Sequence, residues 1–231
     1  MERSEINEII DRAKSFLEKR QFFLPAFAHW SPEDWVANVT DVRGIVEQQL
    51  GWDITDFGSG DFASVGLFLF TLRNGTDANL TTPNAKVYAE KILIVEPGQV
   101  TPTHFHFLKM EDIINRGGGV LEVQLWNSTD SNGVDTESSV EVVCDGILKR
   151  LPAGGILPLN PGDSVCLPPR LLHKFWGKPG TGTVLVGEVS KVNDDRTDNF
   201  FPEGAGRFPV IEENVPPLHL LIPDYATYLS R

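Results

Sequence analysis

Two histidines separated by one residue, His104 and His106, are followed by Glu111 in the stretch THFHFLKMEDIINRGGG. Residues two apart on an extended strand point to the same side, so the two imidazoles face together. The five-residue step to Glu111 breaks that alternation, and a bulge or turn is needed to return the carboxylate to the same face. Two imidazoles and a carboxylate converging in a folded interior are suitable ligands for a first-row divalent ion. The competing reading is a pair of hydrogen-bonded core or surface histidines, and the nearby acid weighs against it. The chain has five histidines; His29 and His219 stand apart from this grouping and read as structural.

The elements that must carry these side chains fall into two kinds. Residues 4 to 20 have Ile6, Ile9, Ile10, Ala13, Phe16 and Leu17 at helical spacing, with Ser4 available as a cap. SPEDW opens a second predicted helix, with Ser31 at the N-cap, Pro32 at the first position and Gly51 as the stop. From residue 52 the pattern changes to short apolar runs: VGLFLFTLR, KVYAEKILIV, GVLEVQLW, SVEVVC, DSVCLPP and TVLVGEVS. Gly, Pro, Asn and Asp separate them, and no long helix intervenes. This predicts a mainly β, mostly antiparallel body, of the kind that closes as a double-sheet jelly roll. The expected organisation is one domain over 1–231. A helical extension spans 1–51, the barrel 52–195, and a Pro- and Gly-rich segment over 196–231 wraps it.

A formal net charge of −12 disfavours nucleic acid as a partner. No apolar run approaches the length of a membrane span. The charged opening MERSEINEIIDRAK does not read as an export signal, and Cys144 and Cys166 lack metal or redox spacing. A cytoplasmic protein with reduced thiols is the expectation.

PGDSVCLPPRLLHKFWG adds a turn, a β run, a Pro-Pro step and His173. With it, the chain resembles the cupin superfamily. Gly98, His104, His106, Glu111 and Gly118 follow that superfamily's first motif, and Gly162, Pro168 and His173 its second. Arg170 and Gly177 depart from it, standing where the motif has Gly and Asn. The interval from Gly118 to Gly162 is long and predicts an extra hairpin or loop. The resemblance implies a cupin β-barrel holding one divalent metal through His104, His106, Glu111 and His173. Manganese is favoured by the resemblance alone; Co²⁺, Fe²⁺, Ni²⁺ and Zn²⁺ suit the ligand types equally.

Longer stretches narrow this. GWDITDFGSGDF, YAEKIL, HFHFLKMEDIINRGGG, EVSKVNDDRTDNFF and GRFPVIEE resemble the D-lyxose isomerase family, cupin-type sugar isomerases. The resemblance implies interconversion of D-lyxose and D-xylulose, with D-mannose and D-fructose as a second pair, by proton transfer through a cis-enediolate. A metal would hold adjacent sugar oxygens, and a carboxylate other than Glu111 must move the C2 proton. Glu203, in the aromatic-flanked loop NFFPEGAGRF, is the first choice; Glu122 and Glu188, on β runs, compete with it. Lys109 shares parity with Glu111 and is a candidate donor. So is Lys91, although the run KILIV is apolar on both parities and does not fix its side. Arg116, Gln124, Asp194 and Arg207 are candidate hydroxyl binders, while Phe105, Phe107 and Trp176 adjoin ligands.

The expected partner is a small neutral aldose or ketose, and a homodimer is expected because pairing hides barrel edges. A cupin dioxygenase or decarboxylase, a non-catalytic sugar-binding cupin and a phosphosugar substrate stay open as alternatives.

Overall fold

The computed structural model describes residues 1–38, 41–192 and 194–229. Its helices are α1 (Arg3–Lys19), α2 (Pro32–Ala37), α3 (Arg43–Glu47) and α4 (Tyr225–Tyr228). The strands begin with β1 (Gly51–Thr55), β2 (Leu67–Arg73), β3 (Tyr88–Val95), β4 (Val100–His106) and β5 (Glu111–Gly118). Then come β6 (Leu121–Ser128), β7 (Val134–Asp135), β8 (Val140–Cys144), β9 (Ile147–Leu151) and β10 (Gly155–Leu159). The last are β11 (Ser164–Leu167), β12 (Leu172–Gly177), β13 (Val184–Lys191) and β14 (Asn199–Phe200).

Among the described residues, these strands all pair antiparallel. One sheet runs β1-β2-β3-β13-β5-β11-β8-β9 and the other β10-β6-β12-β4-β14. Their facing surfaces enclose a core that includes Leu69, Leu93, Ile113, Val123, Leu125, Val165, Phe175 and Val186. This is the mainly β, antiparallel jelly roll that the strand pattern predicts, and the barrel that the resemblance implies. The long interval between the two motifs holds the β8–β9 hairpin.

Helix α1 covers the outer face of the larger sheet. Its Ile6, Ile9, Ile10, Ala13 and Leu17 pack on Trp52, Phe68, Phe70, Ile92, Ile94 and Leu185. The helix starts one residue before the predicted Ser4 cap: Glu2 holds the N-cap position, without a side-chain cap. Ser4 lies inside the first turn, where its N–H donates to Asn214 Oδ1 at 3.0 Å. The chain end thus supplies the cap that the local sequence lacks. It also binds Arg3, whose guanidinium donates to Asp224 Oδ2 at 3.0 Å and Glu213 Oε1 at 2.6 Å.

The second predicted helix is two short ones. α2 has the expected capping box, in which Asp34 N–H donates to Ser31 Oγ at 3.2 Å. It stops at Ala37, and α3 begins at Arg43; residues 39 and 40, within the predicted helix, lie outside the described residues. Trp35, Val42, Leu220 and Tyr225 form a small separate core that joins this segment to α4.

Candidate metal centre and active site

Strands β12 and β4 are neighbours, with His173 directly opposite His104. Together with His106, two residues along β4, these imidazoles bring one ring nitrogen each to within 4.8 Å of one another. The chain then crosses from the smaller sheet to the larger between His106 and Glu111. This crossing answers the five-residue offset: a turn, rather than a bulge, aims Glu111 back at the histidines. Asp198 fixes the turn. Its carboxylate accepts from Leu108 N–H at 2.8 Å and Lys109 N–H at 3.1 Å, and its carbonyl accepts from Phe107 N–H at 3.1 Å.

Glu111 Oε1 consequently lies 3.3 Å from both His106 Nε2 and His173 Nε2. All three atoms are buried and have no hydrogen-bond partner among the described residues. Leaving a buried polar atom unpaired costs about 1–3 kcal/mol, and a divalent ion between them would satisfy all three. The donor chemistry fits as well. His104 Nδ1–H donates to Pro102 O at 2.8 Å and His173 Nδ1–H to Leu171 O at 3.0 Å, which leaves each Nε2 lone pair facing inward. Burial lowers His104, helped by His173 and His106, and burial with Lys109 lowers His106, so both imidazoles stay neutral. Burial alone would raise Glu111, but the Lys109 ammonium holds it well below the usual carboxylate range.

The motif departures keep this geometry. Arg170 adopts φ 65°, in the left-handed region that favours glycine. Its guanidinium bonds Asn132 Oδ1 at 2.8 Å and Thr129 O at 3.2 Å. At Gly177 an added Cβ would meet Glu96 O at 2.7 Å, so the close approach of the β3–β4 turn requires glycine there.

A cavity of about 40 Å³ lies against the histidines. Lys91, Lys109, Glu188, Asp195 and Arg207 line it, and Phe57, Phe201, Leu67, Leu69 and Leu93 wall it. Phe201 stacks on the His104 ring, 5.3 Å between centroids. Lys109 Nζ bridges Glu111 Oε2 at 2.6 Å and Glu188 Oε1 at 3.0 Å. Lys91 Nζ lies 3.5 Å from Glu188 Oε1 and 3.3 Å from Asp195 Oδ1. Arg207 Nη2 closes the chain on Asp195 Oδ2 at 3.1 Å and Asp53 Oδ2 at 2.5 Å. Three cations thus alternate with four carboxylates. Burial alone would lower Lys109, yet Glu111, Glu188 and Asp195 raise it; burial alone would raise Asp195, yet Lys91, Arg207 and Lys109 hold it well down.

The other residues that the sequence singles out lie apart. Glu203 sits exposed in a turn and does not line the cavity. Glu122 accepts from Trp176 Nε1–H at 2.8 Å and pairs with Lys178. Gln124 donates to Gly154 O at 2.9 Å. Asp194 pairs with Arg196 at 2.7 Å. Arg116 is exposed on the outer face, lying over Gly187. Phe105 is buried against Phe107 and Phe200 rather than walling the cavity. Asp53 and Asp195 are not among the residues that sequence reasoning selects. The signal for Asp53 is a lone carboxylate in a five-residue strand that is buried throughout.

A jelly roll with three histidines and a glutamate gathered beside a buried cluster of lysines and carboxylates defines a β-barrel protein with a candidate metal centre. The chain belongs to the D-lyxose isomerase family, whose profile matches residues 1–225. It is 47% identical to a D-lyxose/D-mannose isomerase of Escherichia coli O157:H7 over 229 residues, 99% of this chain and 100% of the relative. It is 46% identical to one from Serratia proteamaculans over 231 residues, the full length of both. Among solved structures, Cellulomonas parahominis L-ribose isomerase shares the fold at a TM-score of 0.61 and 18% identity, covering 92% of this chain and 98% of that one.

Proposed function

We propose that the chain is a metal-dependent aldose–ketose isomerase that interconverts D-lyxose with D-xylulose and D-mannose with D-fructose. The observation that carries the reading is the pairing, in one buried cavity, of a four-ligand metal centre with a carboxylate that is not a ligand, Glu188. Its relatives' names and the family it belongs to support the substrate class. A divalent ion held by His104, His106, Glu111 and His173 would supply a Lewis acid for two adjacent sugar oxygens. Mn²⁺ is favoured on resemblance, over Co²⁺, Fe²⁺, Ni²⁺ and Zn²⁺.

The remaining chemistry belongs to the protein. Glu188, in place of Glu203, takes the C2 proton of the open-chain aldose and returns it to C1. Its Oε1 already accepts from Lys109 Nζ and, at 3.1 Å, from Ser190 Oγ–H, which orients the carboxylate. Lys109 and Lys91 offer N–H donors where negative charge develops in the enediolate. Arg207 has a buried Nη1 without a partner among the described residues, suited to a sugar hydroxyl, with Asp195 and Asp53 as acceptors. Phe57 and Phe201 exclude water. The near balance of cations and carboxylates suits a neutral sugar better than a phosphosugar, whose dianion needs a surplus of positive charge.

The same reading takes the chain as one cupin domain with a wrapping C-terminal segment. Its two free cysteines suit the cytoplasm. It pairs with a second copy, for which the exposed Val143 and Leu148 on the β8–β9 hairpin offer apolar surface; sedimentation velocity tests that pairing. Incubating metal-loaded protein with D-lyxose in D₂O tests the function. Deuterium at C2 of recovered aldose and C1 of ketose is expected. Oxygen consumption or CO₂ release would support the oxygenase or decarboxylase alternative, and binding without turnover the sugar-binding one.

A further inference from the structure

A second, larger cavity of about 790 Å³ adjoins the first on the far side of Lys91 and Asp195, both of which line the two. Its floor includes Asp53, Thr71, Asn74 and Lys91, and its far wall comes from α3 and α4, with Val46, Tyr225 and Leu229. The strand register ties it to the chemistry. Thr71 lies directly opposite Lys91 across β2 and β3, and Lys91 directly opposite Glu188 across β3 and β13. All three residues are buried. They form one row along the inner face of the sheet, so Thr71 stands two strand spacings, roughly 10 Å, from Glu188. Among the described residues the Thr71 hydroxyl has no hydrogen-bond partner.

The inner cavity, at about 40 Å³, is far smaller than the outer one, at about 790 Å³. A sugar with C1 and C2 beside Glu188 must therefore extend past Lys91. Carbon–carbon bonds are about 1.5 Å long, so a six-carbon chain spans roughly 6 Å and its terminal hydroxyl reaches the boundary at Lys91 and Thr71. The boundary is the Lys91–Asp195 ion pair, 3.3 Å apart, which a longer chain parts to enter the outer cavity.

We propose that the outer cavity is the subsite for the far end of the sugar chain, with Thr71 as its specificity-determining residue. The protein then selects aldoses by configuration near the reacting carbons and tolerates chain length, extending to seven-carbon neutral aldoses that share the C2–C5 configuration of D-mannose. The proposal rests on the isomerase reading above.

The test compares D-lyxose, D-mannose and D-glycero-D-manno-heptose as substrates of the metal-loaded wild type, then of Thr71→Ile and Thr71→Ser. The heptose is expected to be isomerised with kcat/KM within about tenfold of D-mannose, the scale of discrimination one carbon gives. Thr71→Ile, which fills the row and removes the hydroxyl, is expected to lower kcat/KM for D-mannose and the heptose by about tenfold or more while moving D-lyxose less than about twofold. Thr71→Ser is expected to restore the longer sugars. A wild type that isomerises D-lyxose and D-mannose but rejects the heptose overturns the proposal without any variant having to fold. An equal loss on all three sugars in Thr71→Ile, with metal content unchanged, overturns it too. A wild type inert toward every aldose would instead bring down the isomerase reading itself.

Discussion

Strands β3 and β13 carry two different chemistries on their two faces. Inward, Lys91, Glu188 and Ser190 meet the cavity and its charged network. Outward, Ile92, Ile94 and Leu185 lie under α1 with Phe68, Phe70 and Trp52. Both sets of side chains are buried, so water does not distinguish them. The difference is what covers each: a helix that supplies only apolar contact, or a second sheet that brings three imidazoles. Inward charges persist because each has a partner, and a buried charge that loses its partner costs several kcal/mol. The outer face holds the sheet in shape, and the inner face uses that shape to aim side chains.

Substitutions on the two faces should therefore separate function from stability. The largest effect is expected at the metal centre: His104→Ala or His173→Ala should abolish stoichiometric divalent metal by elemental analysis and reduce ketose formation to background. Next comes the base. Glu188→Gln should lower kcat by about 10²–10⁴ while retaining one equivalent of metal, whereas Glu203→Gln on the exposed turn should leave kcat unchanged. On the outer face Ile10, fully buried under the sheet, gives the converse: Ile10→Ala should cost about 2–5 kcal/mol in urea unfolding with kcat of the folded fraction unaltered. A loss of kcat there without a loss of stability would break the division between faces.

The smallest effect concerns how the chain end holds α1. Hydrogen bonds from Arg3 keep the folded-state pKa of Glu213 below its ordinary value. The stability this gives is full above the unfolded carboxylate's pKa and is lost as pH falls through the lower folded value. Glu213→Gln should flatten the acid limb of the stability profile and scarcely alter it at neutral pH, as read by urea midpoints across the acid range.

These faces also explain how much of the molecule is legible in its sequence. The metal ligands can be read because their spacing is local: His104 and His106 alternate on one strand, and Glu111 and His173 sit in motifs with fixed intervals. Lys109 follows from parity with Glu111, and the turn held by Asp198 preserves that parity. Glu188 is only one of three competing carboxylates. Its strand opens with the apolar run VLVG, buried on both faces, so no polar alternation ahead of Glu188 marks which side is inside. Asp195 and Asp53 are invisible for a related reason. Their partners are distant in sequence: Arg207 is 12 residues from Asp195 and 154 from Asp53, and Lys91 is 104 from Asp195. The cap that Asn214 lends to α1 is nonlocal in the same way, so a local search stops at Ser4.

The proposed centre holds one ion between the two sheets. Crystals of the protein loaded with Mn²⁺ or Co²⁺, measured at the metal's absorption edge, test it directly. A single anomalous peak is predicted within about 2.0–2.2 Å of Nε2 of His104, His106 and His173 and of Oε1 of Glu111, with Glu188 in the same cavity but outside ligand distance. A peak at another cluster, or one coordinated by Glu188 in place of Glu111, would contradict it.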